Sequence, residues 1–99
     1  MLVHSVFFWL RDDLTKDQRI EFKSALNGLK GITAADSVFI GTPAATAERP
    51  VIDNSYDFCL TVLLADLEAH DAYQIDPLHK AFLSTYAPLW TRVQIYDAA

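Results

Sequence analysis

The stretch Leu2-Val3-His4-Ser5-Val6-Phe7-Phe8-Trp9-Leu10 decides the fold. It is rich in Val, Phe and Trp, so it reads as a β-strand. Successive side chains in a strand point to opposite faces. His4, Val6, Phe8 and Leu10 therefore share one face, and Val3, Ser5, Phe7 and Trp9 share the other. Both faces are apolar, as a central strand of a sheet requires. A second long apolar run, Tyr56 to Leu64 (YDFCLTVLL), has the same character. Two shorter strands complete the set, Ser37 to Gly41 (SVFIG) and the alternating Trp90 to Asp97 (WTRVQIYD).

Helices fit between these strands. Thr15-Lys16-Asp17-Gln18 is a capping box, with Thr15 as N-cap and Gln18 at N3. Behind it Phe22, Ala25, Leu26 and Leu29 fall at i, i+3, i+4 and i+7, one apolar stripe, and Gly28 and Gly31 mark the end. Asp66 caps a short helix over Leu67 to Gln74. Asp76-Pro77 restarts a helix, with Asp76 as N-cap and Pro77 at N1, running to about Tyr86 before Pro88. Thr42 to Asn54, with Pro43 and Pro50, is a loop inside one domain, residues 1–99. The order β-α-β-β-α-β predicts an α+β, ferredoxin-like fold: a four-stranded antiparallel sheet with the helices on one face. The other face still carries Phe7, Trp9, Cys59, Leu63 and Tyr96. An apolar face of that size calls for a cover, and a second copy of the chain, packed sheet on sheet, is the economical one.

Composition narrows the function. Hydrophobic residues make up 52% of the 99, enough for a packed core rather than a disordered chain. The formal net charge is −5 and the basic residues are scattered, which disfavours nucleic acid and anionic membrane surfaces. No apolar run approaches the ~20 residues that span a bilayer. The N-terminus reads as a strand and not a signal peptide, and the lone Cys59 suits a reducing compartment, so cytoplasm is the expectation.

Several of these residues together resemble the stress-responsive dimeric α/β-barrel family, often called Dabb. The resemblance rests on His4 within Val-His-Ser-Val, Val38 to Gly41, Ser55-Tyr56-Asp57, the run Ala72-Tyr73-Gln74-Ile75-Asp76-Pro77-Leu78-His79, Trp90, and the closing Tyr96-Asp97. It covers nearly the whole chain, and Tyr-x-x-x-Pro-x-His is its most specific part. It implies a ferredoxin-like fold whose sheets close into a barrel across a homodimer. Many members have no assigned activity. A plant polyketide cyclase of the family uses a tyrosine and a histidine as an acid–base pair, without metal or cofactor, and these correspond to Tyr73 and His79. One position departs: the residue before Pro77 is commonly His in the family and is Asp76 here, which keeps an N-cap and removes an imidazole.

The residue chemistry is compatible with the pair that the resemblance implies. His79 sits at N3 of its helix, where the helix dipole disfavours an added positive charge. Asp76 nearby pulls the other way, and sequence leaves the balance open. A neutral imidazole is a usable general base. Tyr73, across the break at Asp76-Pro77, offers a phenol suited to donating to a carbonyl or enolate oxygen. Together the two could handle proton abstraction beside a carbonyl, as in aldol-type cyclisation or isomerisation. His4, Phe8, Phe22, Leu26, Phe82, Trp90, Val93 and Ile95 are the expected substrate-binding walls. Each has a plainer alternative: Tyr73 packing on the sheet, His79 bonding a backbone carbonyl, His4 as a hydrogen-bonded core residue, Trp90 as core. His70, beside Asp71 and Glu68, reads as solvated, Cys59 as a buried hydrophobe, and no metal set or cofactor motif emerges. Two further functions stand beside the enzyme: a non-catalytic ligand-binding or assembly dimer, and a cofactor-free oxygenase.

Overall fold

The computed structural model describes all residues, Met1–Ala99. Four strands, β1 (Leu2–Leu10), β2 (Ser37–Gly41), β3 (Phe58–Leu64) and β4 (Trp90–Ala98), and three helices, α1 (Lys16–Gly28), α2 (Leu67–Ile75) and α3 (Pro77–Tyr86), follow in the order β1-α1-β2-β3-α2-α3-β4. The strands form one sheet in the order β2-β3-β1-β4, antiparallel throughout. The two apolar strands are thus the central pair.

Local chemistry explains the helix boundaries. The Thr15 hydroxyl accepts from the Gln18 amide at 3.1 Å, and the Gln18 side chain accepts from the Thr15 amide at 2.8 Å. Asp66 caps α2 by accepting from the Ala69 amide at 2.9 Å. Asp76 caps α3 by accepting from the Leu78 amide at 2.8 Å. β3 starts at Phe58, two residues later than the apolar run suggests. β2 pairs only with Cys59 to Leu63, so Tyr56 has no partner on that side. Asp57 ties the strand's start instead. Its amide donates to the Phe8 carbonyl at 2.8 Å, and its carboxylate accepts from the Leu10 amide at 2.6 Å and pairs with Arg19 at 2.9 Å.

One face of the sheet and the helices enclose the core. Leu2, His4, Val6, Phe8 and Leu10 from β1 alternate inward with Phe58, Leu60, Val62 and Leu64 from β3. Phe22 and Leu26 of α1, Tyr73 of α2 and Phe82 of α3 meet them. The helices leave the inward side of β4 open. Val93 and Ile95, opposite Phe8 and Val6 in the register, are 39% and 45% exposed. The helix-free face carries Phe7, Trp9, Phe39, Tyr56 and Tyr96, with Phe39 and Tyr96 more than 60% exposed.

Candidate functional site

The gap over β4 is a cleft of about 140 Å³ between the sheet and the α2–α3 corner. Val6, Phe8, Leu29, Leu60, Phe82, Leu83, Trp90, Val93 and Ile95 make its walls, and His4, Gln74 and His79 are its polar part. Apolar walls with a few convergent polar groups are the make-up of a ligand pocket, here at a volume below the usual range of about 300–1,000 Å³.

The break at Pro77 builds the polar end. Proline lacks an N–H, so it cannot continue the α2 ladder. The Leu78 amide is taken by the Asp76 side chain. The Gln74 carbonyl, near the C-terminus of α2, therefore needs another donor. It accepts from His79 Nδ1 at 3.0 Å. This fixes the tautomer: with Nδ1 carrying the proton, Nε2 keeps the lone pair. Burial lowers the His79 pKa from its ordinary value of 6.5, and the nearby His4 and His70 act the same way, against the opposing pulls of the Gln74 carbonyl and Asp76. The balance that sequence left open falls to the neutral imidazole.

Tyr73 packs against His79 with ring centroids 5.0 Å apart and against His4 at 5.9 Å. It is fully buried, and burial pushes its pKa up to about 12, so the phenol stays protonated. Its hydroxyl is the one buried side-chain polar atom without a hydrogen-bond partner. Such a group is costly and calls for a reason. His4, only 2% exposed, shares a short 2.5 Å hydrogen bond from Nδ1 to Asp97 Oδ1.

Of the residues expected in the site, His4, Phe8, His79, Phe82, Trp90, Val93 and Ile95 do line this cleft. Phe22 and Leu26 do not. Both have no exposed surface, because the apolar stripe of α1 packs into the core, where the Phe22 ring lies behind Phe8, Phe82 and Trp90. Tyr73 lies behind the wall rather than in it, because α2 turns it inward, where its ring packs against His4 of β1 and His79 of α3. His70 is not solvated as expected: its side chain is 16% exposed and its ring stands 5.2 Å from that of His4. Val6, Leu29, Leu60, Gln74 and Leu83 also line the cleft and were not among the expected wall residues. Leu83 stands four residues after His79 on α3, a spacing that puts them on one helix side.

Fold and cleft define a class, the ferredoxin-like α+β domains that carry a pocket between helices and an edge strand. Within it, the chain belongs to the Dabb family: the family's profile, described as stress responsive A/B barrel domain, matches residues 2–99. Solved structures agree. A dimeric ferredoxin-like protein of unknown function from Thermobifida fusca is 25% identical with a TM-score of 0.80, covering 99% of this chain and 89% of that one. A Dabb family protein from Mesorhizobium loti is 23% identical with a TM-score of 0.79, covering 99% and 94%. The hydroxynitrile lyase of Passiflora edulis is 13% identical with a TM-score of 0.81, covering 98% and 90%. No curated protein matches the chain. No helix is long and apolar enough to cross a membrane.

Proposed function

We propose that this protein is a homodimeric acid–base enzyme acting on a small apolar carbonyl or phenolic compound. The observation that carries the reading is the pairing of two groups with opposite roles. His79 has a neutral imidazole with its Nε2 lone pair free, and Tyr73, its ring centroid 5.0 Å from that of His79, holds an unsatisfied phenol proton. In this reading His79 Nε2 removes a proton beside the substrate carbonyl. The Gln74 carbonyl then steadies the imidazolium through Nδ1–H. The Tyr73 hydroxyl, buried behind the wall, donates to the oxygen on which negative charge develops once the seated ligand parts the His4 and His79 side chains. Phe8, Trp90, Val93 and Ile95 hold the apolar part of the ligand. The fold hosts an enzyme in one structural relative, the Passiflora edulis lyase.

The dimer is supported by the uncovered Phe7, Trp9 and Tyr96 face and by the dimeric relatives. The single free thiol, Cys59, suits a reducing compartment such as the cytoplasm.

A second reading, a ligand-binding module without turnover, is favoured by one observation: Tyr73 stands behind the cleft wall. The two separate in one experiment. Wild type and His79→Ala are assayed with a panel of phenolic and β-keto compounds for binding and for turnover. The enzyme reading expects turnover of at least one compound, reduced by roughly 10²- to 10⁴-fold in the variant while the dimer stays folded. Binding with no turnover by wild type, or equal turnover by both proteins, would overturn it.

A further inference from the structure

No run of this sequence has metal-ligand spacing, yet the fold assembles a ligand set from three separate elements. His4 of β1, His70 of α2 and Asp97 of β4 each place one ligand atom within 4.8 Å of the others. We propose that these three residues bind a divalent transition ion of borderline softness, with Zn²⁺ the natural occupant. Two imidazoles and one carboxylate are a donor set such ions take, with a further position left for water or a ligand.

The geometry needs little change. His4 Nδ1 lies 2.5 Å from Asp97 Oδ1, and His70 Nε2 lies 3.9 Å from the same oxygen. Ligand atoms around a tetrahedral zinc, each ~2.0–2.1 Å from the ion, stand about 3.4 Å apart. The His4–Asp97 separation opens and the His70–Asp97 separation closes, each by less than about 1 Å, and the separation of the two imidazole nitrogens, within 4.8 Å, closes by about 1.4 Å at most. Asp97 is at the end of β4 and 44% exposed, so it can move and it offers the ion a way in.

A second feature points the same way. His70 Nδ1 lies 3.1 Å from Asp71 Oδ1. With that nitrogen donating to the carboxylate, the lone pair is on Nε2, the atom facing Asp97. Metal-ligating histidines are oriented by an outer carboxylate in this manner. The Gln74 amide, 3.4 Å from His70 Nε2, can turn its oxygen toward the same point. An ion there displaces the proton that His4 shares with Asp97. His4 also lines the cleft, so the ion stands beside it. The site is independent of whether His79 is catalytic.

The test is calorimetric titration of the full-length protein with zinc chloride. Wild type is expected to take up one ion per chain. His70→Ala and Asp97→Asn should each weaken uptake by tenfold or more, and Asp71→Asn by less. Cys59→Ser should bind as wild type does. Cobalt(II) supplies a check that needs no variant: the wild-type protein should develop the intense visible bands of a four-coordinate ion. No uptake by wild type, titration of His70→Ala indistinguishable from wild type, or a cobalt spectrum like that of the hydrated ion would each overturn the assignment.

Discussion

His79 Nδ1 donates to the Gln74 carbonyl at 3.0 Å, bridging the end of α2 and the first turn of α3. One contact does two things. It satisfies a carbonyl that the proline break deprives of its helical donor, and it leaves Nε2 as the basic nitrogen. The expectation that His79 bonds a backbone carbonyl and the expectation that it is a base are therefore compatible.

Burial lowers the pKa of His79 in the folded protein below the ordinary 6.5. The unfolded chain then binds more protons than the folded one just below that value. The neutral ring's contribution to stability is complete above pH 6.5 and is lost as pH falls through 6.5 toward the folded pKa. Urea unfolding at pH 7.5 and 5.5 should show a smaller loss of stability in His79→Gln than in wild type. An equal loss in both contradicts the lowered pKa.

Tyr73→Phe removes a buried hydroxyl that has no partner. No hydrogen bond is lost, so the variant should be as stable as wild type or about 1 kcal/mol more stable. Tyr73→Ala leaves a cavity and should cost about 3–5 kcal/mol. Thermal and urea unfolding check both. If Tyr73→Phe is also inactive on a substrate that wild type turns over, the hydroxyl serves chemistry and not packing. A clear destabilisation by Tyr73→Phe contradicts the unpartnered state.

Asp76 caps α3 through the Leu78 amide. Asp76→Ala should cost about 1 kcal/mol in stability, while Asp76→Asn should retain most of the cap. If both variants match wild type in urea unfolding, the cap is not holding the α2–α3 corner.

Phe7 lies at the centre of the helix-free face, 5.0 Å from Tyr56 and 6.2 Å from Tyr96 between ring centroids. Arg92 sits over the Trp9 ring at 4.1 Å. Phe7→Asp places an unpaired charge there and should yield monomer in sedimentation velocity, with wild type sedimenting as a dimer. A wild-type monomer contradicts the pairing.

Much of the fold was legible because its signals are local. The Thr15–Gln18 box, Asp66, and Asp76-Pro77 each mark a boundary within a few residues. The apolar character of Leu2 to Leu10 and Phe58 to Leu64 sets the central strands. What was not legible depends on how layers meet. Phe22 and Leu26 share an inward stripe, but only the placement of the helices over β1 and β3 decides that they are core and that β4 forms the cleft. His70 looked solvated because Asp71 and Glu68 flank it. Its spacing of three from Tyr73 and four from Gln74 carried the information that it shares their inward side. Asp97, its neighbour in space, is far off in sequence: the β1–β4 register sets Asp97 opposite His4, and the packing of α2 on β1 brings His70 to the pair.

The account's central claim is that His79 stands as a neutral imidazole with its base at Nε2. Nitrogen-15 chemical shifts of the His79 ring at pH 7 test it without a substrate. The predicted result is a protonated Nδ1 and an unprotonated Nε2. An imidazolium, or a ring protonated at Nε2 alone, would contradict it.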